Sequence, residues 1–273
     1  MDKNKLLQFK SNKRLFSKLQ GEHKSLFSGS GVEFLELREY STSNSAKHIN
    51  WKRSLNSNTP LVNIYTDERE LNITLVYLIS GSLEYKDKKE LARDILATLS
   101  YSATKFNERL TIILFSNKVE AIYSSLKAIN GFEFSYHITN NLTHLGKSID
   151  YNNLSFFLES YLKERSLIFL IGDFLDKNID IKSISLKNEL FALLVRDKSE
   201  ESINAKGEIE AKDPISLKIE RLFISRASAK SYNNKFKEQD KSLFEEFNRY
   251  GIKYTKFYKS EDILEKLKRL ISG

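Results

Sequence analysis

From residue 71 onward, short strand-like apolar runs alternate with longer stretches of helical periodicity, and that alternation leaves few folds open. The apolar runs fall at 73–79, 110–115, 167–171 and 190–195, with a further strand at 252–257. Helical spacing fills 86–106, where Leu91, Ile95, Leu99 and Phe106 share one face, and also 145–162, 227–250 and 262–271. A short helix is expected near 179–186, an edge strand at 119–123 and a strand at 216–219, while 197–213 reads as charged and irregular. Short apolar strands between helices predict a mostly parallel sheet covered on both faces. Right-handed crossovers then make it a doubly wound, Rossmann-like α/β layer.

Residues 1–70 have a different rhythm. A basic amphipathic helix is expected over 3–19, with Leu6, Phe9, Phe16 and Leu19 at helical spacing. A Gly- and Ser-rich loop follows at 21–31, a strand at 32–40, a polar loop at 41–46, a short element at 48–55 that carries the only tryptophan, Trp51, and an extended segment from 60 to 70. The expected organisation is an N-terminal helix-plus-strand extension, 1–70, and an α/β domain, 71–273.

Composition narrows the chemistry. There is no cysteine, which excludes disulfides, thiolate catalysis and cysteine-ligated metal centres. No apolar run approaches the roughly 20 residues of a membrane-spanning helix. The first residues lack the apolar stretch of a signal peptide. A cytoplasmic location follows as the expectation, with peripheral attachment at the inner membrane as its variant. The net charge of +8 is uneven: residues 1–70 carry 12 basic and 8 acidic side chains, and residues 226–273 carry 12 and 7. Such basic ends attract anionic lipid or nucleic acid; the bland alternative is a Lys-rich surface that keeps the protein solvated. No nucleic-acid motif accompanies the charge, so nucleic acid is not expected as a partner. His23, His48, His137 and His144 show no metal-ligand spacing, and neither a P-loop nor a Gly-x-Ser-x-Gly elbow is present. An enzyme is therefore not expected.

Ligands of an open parallel sheet gather at the C-terminal ends of the strands. Three loops place oxygen donors there: Ser80 and Ser82 after the strand at 73–79, Thr143 before the helix at 145–162, and Asp173 after the strand at 167–171. Hydroxyls and one carboxylate suit a hard cation such as Mg²⁺. The same residues have a plainer use, the serines making a turn and Thr143 and Asp173 capping helices. No cofactor is demanded; Mg²⁺ or another divalent cation, weakly held, is the candidate.

Gly21, His23 and Ser25, then Gly29, Gly31, Glu33 and Phe34, then Arg38, Glu39 and Tyr40, follow the pattern G-x-H-x-S…G-x-G-x-E-F…R-x-Y. Ile49, Asn50 and Trp51 follow I-D-W, Asp173 and Phe174 follow S-D-F, and Ser80 and Ser82 follow Asp-x-Ser-x-Ser. In these features the chain resembles the bacterial domain-of-unknown-function-58 family. These proteins have a von Willebrand factor A-like domain and are often associated with MoxR-type AAA ATPases. The resemblance implies a von Willebrand factor A-like fold. It also implies a metal-ion-dependent adhesion site at Ser80, Ser82, Thr143 and Asp173, and a MoxR-type ATPase, or a client protein it remodels, as partner. The departures fall on polar positions: Leu78 stands for the leading Asp, Asn50 for Asp, Gly172 for Ser, and Ser43 and Asn44 for Gly-Asp. They mark the site as degenerate. The N-terminal signature is read as structural, with Trp51 in the core and Arg38 paired to Glu39 or Glu33, or else as a partner surface of Arg38, Tyr40 and Trp51. The expected function is a non-catalytic protein-binding adaptor; the alternative is a peripheral anion-binding protein that uses its basic ends.

Overall fold

A computed structural model describes residues 27–41, 49–55, 57, 59–126, 129–176, 178–204 and 206–272, and the helix expected at 3–19 lies outside them. The described residues fall into two compact units, 27–70 and 71–272.

In the first unit, strand β1 (Phe27–Glu39) pairs with strand β2 (Leu61–Leu78), and helix α1 (Trp51–Ser54) lies between them in sequence. Phe27 to Gly31 is thus strand, where the glycines and serines predicted loop. Pairing to a neighbour overrides weak local propensity. Asn50 caps α1, its side-chain oxygen accepting from the Arg53 amide at 3.1 Å, while its amide group donates to Asn63 Oδ1 at 3.0 Å. Asn and Asp cap helices about equally well, so Asn50 keeps the capping role and gains a donor that Asp lacks. Trp51 is 69% exposed and Leu55 84%; neither fills a core, which corrects the structural reading of Trp51. Arg38 pairs with Glu36.

In the second unit the elements run on from β2. Helix α2 (Lys88–Lys105), strands β3 (Arg109–Phe115) and β4 (Val119–Leu126), helices α3 (Gly131–Asn140) and α4 (Tyr151–Tyr161) and strand β5 (Leu167–Gly172) come first. Helix α5 (Lys182–Lys187), strand β6 (Glu189–Val195), helix α6 (Lys198–Glu201) and strands β7 (Gly207–Lys212) and β8 (Ile219–Ile224) follow. Helix α7 (Arg226–Arg249), strand β9 (Lys253–Phe257) and helix α8 (Ile263–Ser272) close the chain. The sheet order is β4-β3-β2-β5-β6-β9, parallel except for β4, which runs antiparallel beside β3. Every residue of β5 is buried, as a strand covered on both faces requires. Phe169 and Phe191 stack across β5 and β6 with centroids 4.5 Å apart. The order reverses between β2 and β5, so their C-terminal ends form the crevice in which such sheets bind ligands.

Three local expectations differ from the structure. The helix expected from 145 begins at Tyr151, where Asp150 accepts from the Asn153 amide at 3.0 Å. Helix α3 was not expected, and β7 and β8 form an antiparallel hairpin inside and beyond the stretch that reads as irregular. Among the described residues, no helix is long and apolar enough to cross a membrane.

Candidate functional site

The crevice is filled by the protein's own charges. Beyond β2 the chain enters a 3₁₀ turn (Gly81–Glu84), with Ser80 before it and Ser82 inside it. Ser80 Oγ and Ser82 Oγ share a hydrogen bond of 2.5 Å, and Ser82 Oγ donates to Asp173 Oδ2. Asp173 comes from the end of β5. The same Oδ2 accepts from Lys88 Nζ at 3.2 Å, and Lys88 also donates to Glu200 Oε1 at 2.8 Å. The side chains of Lys88 and Asp173 are 1% and 2% exposed, and that of Glu200 is 13% exposed. Burial raises the Glu200 carboxyl above its ordinary pKa, and the Lys88 ammonium opposes that rise.

Each position has a local cause. Lys88 stands at the start of α2, three residues before Leu91 and seven before Ile95, on the stripe that faces the sheet. Glu200 is fixed by the capping box of α6, in which Asp197 opens the helix and Glu200 Oε2 accepts from the Asp197 amide at 3.4 Å. Asp173 is turned inward by a sharp bend at the next residue. Phe174 adopts a left-handed φ of 52°, a conformation that costs a side-chain-bearing residue roughly 1–2 kcal/mol. Its ring is buried against Tyr151 and Phe247, which holds the bend in place.

The apolar departures form a matched pair. Leu78 is 1% exposed, and a Cβ added at Gly172 would lie 2.9 Å from Leu78 Cβ and 2.9 Å from Leu78 Cδ1. The large residue on β2 therefore needs the small one on β5. Gly172→Ala is expected to destabilise by about 1–3 kcal/mol through overpacking, and the double variant with Leu78→Ala, which removes the contact to Cδ1, should lose less than the sum of the two single losses. Denaturant titration of the two single variants and the double checks this, and additive losses would sink the pairing.

As they stand, these residues do not fit a divalent cation. Leu78 contributes no oxygen. The inward carboxylate oxygen of Asp173 already accepts from an ammonium and a hydroxyl. A dication there would sit against the buried ammonium, with only Asp173 and Glu200 to offset three positive charges. Thr143 is exposed and, among the described residues, shares no hydrogen bond with Ser80, Ser82 or Asp173. His144 beside it is buried, with Nε2 3.2 Å from Tyr77 Oη and Nδ1 3.2 Å from Glu84 Oε1. Burial holds the His144 ring below its ordinary pKa, with the Glu84 charge opposing.

The loops around the cluster are stitched together. Gly81 N donates to Lys147 O at 2.9 Å and Gly146 N to Pro214 O at 2.9 Å, which brings the turn of the β7–β8 hairpin over the 3₁₀ turn. A Cβ at Gly81 would meet Pro214 O at 2.3 Å, so the close approach needs glycine there. Tyr85, Leu145, Ile215 and Leu217 stand exposed on these three loops.

A second carboxylate lies close by. Burial, then the nearby charge of Asp173, pushes Asp176 up to about 6 from its ordinary 3.8. The folded state therefore holds this proton more tightly than the unfolded chain does. The stability it adds is complete below 3.8 and is lost as the pH rises to about 6. Asp176→Asn is expected to flatten that part of the Tm profile and to raise Tm at neutral pH; superimposable profiles would contradict this.

Arg38, Tyr40 and Trp51 are all exposed in the unit 27–70. Gly21, His23, Ser25, Ser43 and Asn44 lie outside the described residues, as do the side chains of Glu33 and Phe34. Lys88 and Glu200 are absent from the sequence-based set. Lys88 was open to detection through its spacing to Leu91 and Ile95, and Glu200 through the Asp-x-x-Glu capping pattern.

Sheet order, antiparallel edge strand and the Ser80-x-Ser82/Asp173 crevice define an α/β domain of von Willebrand factor A-like type. The family model described as "Protein of unknown function DUF58" matches residues 36–242, and the chain belongs to that family. Among solved structures, the chain is similar to an aerotolerance-related membrane protein from Bacteroides fragilis NCTC 9343 with multiple mutations to serines. That match has 12% identity and a TM-score of 0.45, and covers 73% of this chain and 98% of the other. It is also similar to a conserved hypothetical protein, BatB, from Bacteroides thetaiotaomicron, with 11% identity, a TM-score of 0.43 and coverage of 74% and 97%. A third similarity, with 12% identity, a TM-score of 0.33 and coverage of 45% and 37%, is to proximal thread matrix protein 1 from the mussel byssus with zinc occupied MIDAS motif. No curated protein matches the sequence.

Proposed function

We propose that this protein is a non-catalytic protein-binding module that engages its partner through the strand-end face without a metal bridge. The carrying observation is Lys88, whose buried ammonium binds Asp173 and Glu200 at the place where a bound cation would otherwise meet the carboxylate. Ser80, Ser82 and Asp173 shape that face from beneath. The contacts themselves fall to the exposed Tyr85, Leu145, Ile215 and Leu217 and to the backbone of the stitched loops. Apolar side chains on a rigid rim suit a protein surface. Ser80, Lys88 and Asp173 are each less than 5% exposed, which leaves a substrate no approach to them and favours binding over catalysis. Membership of the family, through the MoxR association of its members, supports a MoxR-type AAA ATPase, or a client that such an ATPase remodels, as the partner.

Affinity capture from native lysate, run in parallel with Mg²⁺ and with EDTA, tests the proposal. The expected result is an AAA ATPase or its client enriched equally in both, and lost with Leu145→Glu/Leu217→Glu. Enrichment only with Mg²⁺ would overturn the metal-free reading. Recovery of lipid or nucleic acid with no protein partner would overturn the proposal as a whole.

A further inference from the structure

The C-terminal basic excess is concentrated on one wall of a groove. The first half of α7, residues 226–237, carries Arg226, Lys230, Lys235 and Lys237 and no acidic side chain. Arg226, Lys230 and Lys237, with Asn233 and Asn234, face the segment that ends at Lys206. Between them lies a groove of about 320 Å³ whose lining holds four cations, three asparagine amides (Asn204 is the third) and no carboxylate.

Three observations separate this groove from an ordinary lysine-rich surface. First, the cations are uncompensated: among the described residues none of Lys206, Arg226, Lys230 and Lys237 has a carboxylate within ion-pair distance, whereas thirteen other lysines and arginines of this unit do. The next groove along α7, which shares Lys237, holds Asp240 and Glu245 beside its lysines. Second, the arrangement works against the helix. Arg226 and Lys230 are like charges at i and i+4, and they stand in the opening turns, where the peptide dipoles already present positive charge. Without an anion that placement costs stability. Third, the walls are set in place beforehand. Asn233 binds the opposite wall through its amide, Oδ1 accepting from Ile203 N at 2.9 Å and Nδ2 donating to Ile203 O at 3.4 Å. Ala229 leaves the floor open between them.

We infer that this groove binds a phosphate-bearing anion, held by Lys206, Arg226, Lys230 and Lys237. Guanidinium and ammonium donors converge on phosphate oxygens, and Asn204 and Asn234 supply neutral donors at the rim. The site is separate from the strand-end cluster and does not depend on the protein-binding proposal.

The test is calorimetric titration of the full chain with inorganic tripolyphosphate, together with co-sedimentation on phosphatidylcholine vesicles with and without a phosphoinositide. Lys230→Glu/Lys237→Glu is the variant. Lys235→Glu, on the same helix but outside the groove lining, controls for charge alone. Tm values no lower than that of the wild type establish that each variant folds. The expected result is saturable binding that weakens at least about tenfold in the double variant, stays within about twofold in Lys235→Glu, and falls with added salt. Binding of tripolyphosphate would identify a free phosphate compound. Binding only of phosphoinositide vesicles, with the same dependence on the variants, would place the phosphate on a lipid headgroup. Equal loss in Lys235→Glu, or no binding to either probe, would overturn the inference.

Discussion

Lys88→Met is expected to destabilise the fold by about 3–5 kcal/mol, because it leaves a buried carboxylate without its cation. Asp173 is 2% exposed, and in the variant it would keep only the Ser82 hydroxyl. Methionine fills the volume, so the loss reports charge rather than a cavity. Adding Asp173→Asn should recover much of it, since the amide oxygen still accepts from Ser82 and carries no charge. The coupling between the two positions is expected at roughly 0.5–3 kcal/mol in a double-mutant cycle. Denaturant unfolding of the four proteins measures it. A cost for Lys88→Met below about 1 kcal/mol, in the range of surface pairs, would show that the ammonium is not the internal counter-ion.

Asp240→Ala is expected to cost a similar amount, about 3–5 kcal/mol, through the second buried cation. The Arg196 side chain is fully buried; its Nη2 donates to Asp240 Oδ1 at 3.0 Å and to Phe174 O at 3.3 Å. Removing Asp240 strands that guanidinium. Lys256, which holds the other Asp240 oxygen at 2.5 Å, is 23% exposed and keeps Glu201 at 2.6 Å. Lys256→Ala should therefore cost about 1 kcal/mol or less. Because Arg196 also ties down the carbonyl next to Asp173, Asp240→Ala should speed hydrogen exchange at 173–176. Equal costs for Asp240→Ala and Lys256→Ala would contradict this division of roles.

The sheet was legible because its strands are nearly all apolar and its helices carry single-sided stripes; 167–171 and 190–195 admit no other use. What stayed hidden depended on neighbours. Strand β1 begins at Phe27, among glycines and serines, because β2 offers it a partner. Helix α3 begins with Asn130-Gly131, a turn signal in isolation, and continues through aromatic and β-branched residues that favour helix weakly. In the structure Asn130 serves as its cap. The β7 strand does alternate, with Ile209 and Ala211 between Glu208, Glu210 and Lys212, but its charge density masks the period. At the site, Ser80, Ser82 and Asp173 follow from strand ends and motif spacing. For Lys88 the sequence offers only its spacing to Leu91 and Ile95, which sets it on the sheet-facing stripe without naming a partner. Only the fold brings its ammonium from the start of α2 to the end of β5.

In the proposed function Lys88 takes the place of a metal at the strand ends, and partner binding needs none. The most direct measurement is the thermal unfolding of the purified chain in Mg²⁺, in Mn²⁺ and in EDTA, beside Leu78→Asp/Lys88→Ala, which restores a carboxylate and removes the ammonium. The wild-type Tm should be the same in all three, while the variant should gain stability from Mg²⁺, by about 2.7 kcal/mol at a hundredfold excess over Kd. A wild-type Tm that rises with Mg²⁺ or Mn²⁺ and falls with EDTA would contradict the claim.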